Sequence, residues 1–143
     1  MSNQVTSHQP STRVTPVVIH NGVAHVSGQL PRENGVLALR GKVGAEISVA
    51  QAQSAAALSI NACLEQLRHA IGPQGRIERI IKITGFVASA PGFNQQGAVI
   101  DAASDILLDK FGPSGAHARS AVGVAELPHG APVEIEMIAA VTI

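Results

Sequence analysis

The stretch Ala118-Arg119-Ser120-Ala121-Val122-Gly123-Val124-Ala125 offers the clearest chemistry in this chain. Read with the two-residue period of a β-strand, Arg119, Ala121, Gly123 and Ala125 share one face, and Ser120, Val122 and Val124 the other. A guanidinium therefore stands at the end of a row of the smallest side chains and looks into the space they leave. The segment from Val133 alternates too. Val133, Ile135, Met137, Ala139 and Val141 face one way, and Glu134, Glu136, Ile138 and Ala140 the other. This reading puts two carboxylates on the polar side of a strand neighbouring Arg119. A fixed cation and a nearby carboxylate around a small cavity suit a small carboxylic acid on which a proton must be moved. The plainer alternative makes Arg119 an ordinary ion-pair partner of Glu134 or Glu136, and the two Glu the solvated side of an edge strand.

Other chemistries find less support. His20 and His25 flank a turn without being directly opposite, and His69, His117 and His129 stand alone, so the six His make no metal-ligand pair at helical spacing. Gly35 to Lys42 has the wrong spacing for a phosphate loop, and Val43 stands where a magnesium-binding hydroxyl is needed. Cys63 falls on the core side of a helix, where a thiol packs as a small apolar group. Ser27 lacks the Gly-x-Ser-x-Gly elbow of a hydrolase.

Composition narrows the classes further. The chain of 143 residues has the size of one domain. Charged residues make up 14%, against roughly 25% in an average soluble domain, while 45% are hydrophobic. A chain so poor in charge is expected to hide one face in an oligomer. Formal net charge is zero, and the aromatic set is three Phe with no Tyr or Trp, which disfavours nucleic-acid binding. A single Cys rules out an intrachain disulfide or a Cys-based zinc site. No run has the length of a membrane span, and the polar start lacks an apolar signal core, so a cytoplasmic protein is expected. Residues 1–15 read as a loose tail ahead of a single domain over 16–143.

The elements that must position Arg119 and the two Glu are well marked. Asn21-Gly22 between Val17-Val18-Ile19-His20 and Val23-Ala24-His25-Val26-Ser27 predicts a hairpin with a type I′ turn. Arg32 to Gly44 reads as loop, with a short strand at Val36-Leu37-Ala38-Leu39. Ser48 and Gln51 form a capping-box pattern that opens a helix, with Val49, Ala52, Ala56, Ile60, Cys63, Leu67 and Ile71 at helical spacing and Gly72-Pro73 as its stop. Ile77 to Ala90 is apolar on both faces and predicts a central strand. A second helix is expected from about Asn94 to Phe111, with Val99, Ala103, Ile106 and Lys110 at core spacing, before Gly112-Pro113. The order β-β-(β)-α-β-α-β-β is that of an α+β domain with helices on one face of a mixed sheet. The other face is left bare, with Ile80, Phe86 and Ile138 expected on it.

Taken together, these pieces resemble the Rid (YjgF-like) family of reactive-intermediate deaminases, also known under the older label endoribonuclease L-PSP. The matching segments are Val26-Ser27-Gly28-Gln29-Leu30-Pro31, Ile83-Thr84-Gly85-Phe86-Val87, Phe93, Ala118-Arg119-Ser120-Ala121-Val122, Leu127-Pro128 and Val133-Glu134-Ile135-Glu136-Met137-Ile138-Ala139. They cover nearly all of the chain beyond Thr15. The resemblance implies a chorismate-mutase-like (bacillus-type) mixed sheet with two helices on one face, and three subunits forming a barrel with a cleft between each pair. It implies that Arg119 holds a substrate carboxylate and Glu134 positions the attacking water. Ser27, Gly28, Gly85 and the backbone near Ala121 would line the cleft. The implied reaction is hydrolysis of an enamine or imine to a 2-oxo acid and ammonia, without cofactor or metal.

The chain departs from the deaminase pattern in four places. It has no Tyr to close over a substrate, Ala121 replaces a frequent Cys, and Gly97 stands where an Asn is expected. The segment Gly35 to Gly44 is longer, which points to a divergent branch. A second reading is therefore a non-catalytic protein that binds a 2-oxo acid or similar small carboxylate. A ribonuclease is disfavoured, because neither an aromatic platform nor a His pair suited to phosphodiester cleavage is present.

Overall fold

A computed structural model of the chain describes residues 13–143. The expected tail over 1–15 lies largely outside the described residues; Arg13, Val14 and Thr15, which are described, are exposed. The elements are β1 (Val17–His20), β2 (Val23–Gln29), β3 (Arg32–Glu33), β4 (Val36–Leu37), α1 (Val49–Ile71), β5 (Arg76–Ala88), α2 (Gln96–Phe111), β6 (Ala118–Val124) and β7 (Val133–Thr142). Strands β1, β2, β5, β6 and β7 form one mixed sheet in the order β1-β2-β7-β5-β6, and β3 pairs with β4 separately. Both helices pack on the same side of the large sheet.

Local sequence explains the helices. The Ser48 side chain accepts from the Gln51 backbone N–H at 3.1 Å, and the Gln51 side chain accepts from the Ser48 N–H at 2.9 Å, so the reciprocal cap is complete. Gly72, at φ 75°, ends α1 in a conformation that only glycine adopts freely. The buried stripe Ala52, Ala55, Ala56, Ile60, Cys63, Leu64, Leu67 and Ile71 faces the sheet. Its small N-terminal half lets α1 lie close, and each large aliphatic side chain buried contributes about 1.5–3 kcal/mol. Helix α2 begins at Gln96 and buries Val99, Ile100, Ala103 and Leu107. Lys110, expected at core spacing, is exposed, because the buried stripe drifts to Leu107.

Asn21 and Gly22, at φ 52° and 75°, make the predicted two-residue hairpin. Asn34 and Gly35 repeat it at φ 54° and 79°, joining β3 to β4. The region read as loop thus carries a second Asn-Gly hairpin.

Two expectations about the sheet are corrected. Strands β6 and β7 are not neighbours, since β5 lies between them, parallel to β6 and antiparallel to β7. Ile80 does not face the bare side. The register shifts between Ile77 and Arg79 and again between Ile80 and Lys82, so Ile80 and Ile83 both point into the core and Ile81 points out. The open face still carries Val18, Ile81 and Val122, each exposed.

Candidate functional site

Pairing fixes where Arg119 points. On β6 it sits opposite Ile83 of β5, and Ile83 is fully buried beneath the helices, so Arg119 emerges on the helix-bearing face at the edge of the sheet. There α2 meets it. Arg119 Nη1 donates to Asp101 Oδ1 at 2.8 Å and to Ser104 Oγ at 3.2 Å. Asp101 and Ser104, three residues apart, share one side of the helix. One turn earlier, a Cβ on Gly97 would lie 3.4 Å from Arg119 Nη2, in ordinary van der Waals contact with the guanidinium. Both contacts use Nη1. Among the described residues no hydrogen bond engages Nε or Nη2, which together form the two-donor edge that a carboxylate fits. The Arg119 side chain is 27% exposed, so this edge is partly desolvated yet reachable.

The space beside Gly123 is filled differently from expectation. A Cβ on Gly123 would fall 2.8 Å from Gln96 Nε2, and Gln96 donates to Ser89 Oγ at 3.2 Å and to the Phe93 carbonyl at 3.0 Å. The small residues of β6 thus admit the start of α2. The Arg119 side opens further along α2, in a shallow cavity of about 320 Å³ lined by Asp101, Ser104, Leu108, Ala116, His117 and Arg119.

His117 completes a chain of polar contacts there. Its Nδ1 lies 2.6 Å from the Gly115 carbonyl oxygen, and its Nε2 lies 2.9 Å from Ser104 Oγ. A carbonyl only accepts, so Nδ1 carries a proton, and in the neutral form of the ring Nε2 is the acceptor. Ser104 then donates to His117 and accepts from Arg119.

The second group lies on the open face. Glu134 is opposite Phe86, which pairs on its other side with Val122. Gly28 lies directly over Glu134, where a Cβ would be 2.7 Å from Oε2. Burial raises the Glu134 pKa above the ordinary carboxylate value; repulsion from Glu136 adds to the rise, and Arg32 opposes it. Beside it, Ser27, His25, Lys82, Thr84 and Glu136 line a cavity of about 230 Å³. The Ser27 hydroxyl donates to the Thr15 carbonyl at 2.7 Å, tying down the chain entering β1.

The structure therefore groups Ser27, Gly28 and Glu134 on one face and Arg119 with Ala121 on the other. Gly85 is buried, and packing accounts for it: a Cβ would fall 2.4 Å from Ile100 Cδ1. It is where α2 touches the sheet. Arg119 pairs with neither Glu134 nor Glu136. Asp101, Ser104 and His117 join the site without having been expected there. The sequence held one usable signal, because Gly97, Asp101 and Ser104 recur at helical spacing on the polar side of α2. A cavity of about 620 Å³ between the helix ends, near Ile71, Pro73 and Phe111, contains none of these groups.

Two helices on one face of a five-stranded mixed sheet, with an edge-strand Arg held by the second helix, define an α+β domain of the YjgF/L-PSP type. The family model described as endoribonuclease L-PSP matches residues 6–141, and the chain belongs to that family. Protein TCP17 of Trypanosoma cruzi is 39% identical over 130 residues, covering 90% of this chain and 81% of that protein. The structure of Atu1372 from Agrobacterium tumefaciens superposes with a TM-score of 0.88 at 42% identity, covering 92% of this chain and 84% of that one. Escherichia coli TdcF with bound serine gives a TM-score of 0.62 at 26% identity, covering 89% and 87%. The backbone is thus much nearer Atu1372 than TdcF, in keeping with a divergent branch.

Proposed function

We propose that the protein hydrolyses small enamine or imine acids to a 2-oxo acid and ammonia in a cleft built by two copies of the chain. The observation that carries the reading is the held guanidinium of Arg119, whose Nη1 is committed to α2 while the Nε and Nη2 edge has no partner among the described residues. A substrate carboxylate accepts two parallel hydrogen bonds from that edge, which fixes the electrophilic carbon in place. Glu134 of a second copy positions water against that carbon, as a half-buried carboxylate whose pKa burial raises. Ser27 and Gly28 of that copy line the same wall. Exposed Val18, Ile81 and Val122 on the open face support association through that face, three copies closing a barrel.

The test generates imines in situ from several amino acids with an oxidase and follows 2-oxo acid formation. Wild type should accelerate the reaction, and Arg119→Ala should lose at least about 100-fold, or about 2.7 kcal/mol of transition-state stabilisation. Equal rates for wild type and variant on every imine would refute the reading.

One observation favours a second reading. TdcF, a structural neighbour, holds serine, a small amino acid bearing a carboxylate. A protein that binds such a ligand without turnover would show Arg119-dependent binding of 2-oxo acids by calorimetry and no acceleration of imine hydrolysis.

A further inference from the structure

We propose that Ser104 and His117 form the proton relay that drives off ammonia at the Arg119 cleft, an inference that rests on the reaction proposed above. Three facts support it. The contacts are continuous from the guanidinium to the imidazole: Arg119 Nη1 to Ser104 Oγ at 3.2 Å, then Ser104 Oγ to His117 Nε2 at 2.9 Å. The Gly115 carbonyl, 2.6 Å from Nδ1, sets the tautomer, so the imidazole nitrogen facing Ser104 is the basic one. Ser104, His117 and Arg119 line one cavity, where the Ser104 hydroxyl is shared between the guanidinium and the imidazole. A base oriented by a third group and joined to a hydroxyl is the arrangement proton-transfer sites use.

The step balances without a cofactor. Water adds to the iminium carbon, the C–O bond forms, and the C=N electron pair moves to nitrogen. The proton released by the water passes through Ser104 to His117 Nε2. The imidazolium returns it by the same hydroxyl to the amine nitrogen. The C–N bond then breaks with its electron pair leaving on ammonia, the remaining hydroxyl becomes the ketone, and its proton goes to His117 and then to the departing ammonia. Iminium plus water gives ketone plus ammonium. Ser104 is the group that touches substrate, and His117 is a positioning residue that acts through it.

The experiment compares wild type, Ser104→Ala, Ser104→Thr, His117→Gln and His117→Ala in the oxidase-coupled assay, with pyruvate binding measured separately by calorimetry. Expected is a kcat loss of about 100-fold for Ser104→Ala and His117→Gln, with KM and pyruvate affinity within about threefold of wild type. Ser104→Thr should keep most of the rate, and added imidazole should restore turnover to His117→Ala, which a purely structural role would not allow. If wild type accelerates hydrolysis but these variants keep its kcat, or if imidazole restores nothing, the relay is wrong while the deaminase reading stands. If wild type itself matches Arg119→Ala, the deaminase reading fails and the relay fails with it.

Discussion

Arg119 and Glu134 lie on opposite faces of one sheet, with β5 running between their strands. Arg119 shares the helix side with Ile83 and Met137; Glu134 shares the open side with Phe86 and Val122. Within a single copy they cannot approach the same small molecule. A reaction that uses both needs the Arg of one copy and the Glu of another, and that requirement makes the assembly part of the chemistry.

Subunit mixing tests this directly. Arg119→Ala and Glu134→Gln should each be nearly inactive alone. Co-expressed in equal amounts and purified together, they should recover about a quarter of wild-type activity, because random mixing in a cyclic ring gives that fraction of intact clefts. Mixed assemblies as inactive as the two parents would show that the cleft is not shared in this way.

Glu134 should also influence stability with pH. Its folded pKa is raised, chiefly by burial, so the folded state binds more protons than the unfolded state above the ordinary Glu value of about 4.3. Stability is fullest below that value and falls as pH rises through the higher folded pKa. Glu134→Gln removes the penalty. Its melting temperature should exceed that of wild type at pH 7.5 by an amount worth under about 1 kcal/mol after solvent screening, and the difference should vanish below about pH 4. Thermal melts at the two pH values check the sign.

Cys63 should be inert in the native protein. Burial pushes its pKa up to about 12, with the nearby Glu136 and Glu134 adding to the rise, and its Sγ–H donates to the Ile135 carbonyl at 3.3 Å. A thiol reagent at pH 8 should label it only after denaturant is added. Rapid labelling of folded protein would contradict this placement of α1.

Ser59 offers a stabilising change. Its hydroxyl is buried in the core face of α1 without a hydrogen-bond partner among the described residues. Ser59→Ala removes an unsatisfied polar atom and improves helix propensity, for a gain of about 1 kcal/mol. Urea unfolding should show a higher midpoint with an unchanged slope; a lower midpoint would mean the hydroxyl has a partner after all.

Local chemistry made much of the scaffold legible. The Ser48–Gln51 cap, the Gly72 stop and the Asn21-Gly22 turn each depend on a few adjacent residues, and each stands where the chain predicts it. The same Asn-Gly logic was available at Asn34-Gly35 but was obscured by the brevity of the flanking strands. The two faces of β6 and β7 were legible as well, because side-chain alternation needs no knowledge of neighbours.

What alternation could not supply was adjacency. Which strand separates β6 from β7 depends on where a long crossover lands, and the two register shifts in β5 that turn Ile80 inward arise from pairing across the sheet. The environment of Arg119 is likewise a tertiary fact. Asp101 precedes it by 18 residues, on a helix whose approach is set by the absent side chains of Gly85 and Gly123. The linear chain announces a guanidinium among small residues; only the packing of α2 against β6 determines which donors stay committed and which are left to meet a ligand, because that depends on distances between segments remote in sequence.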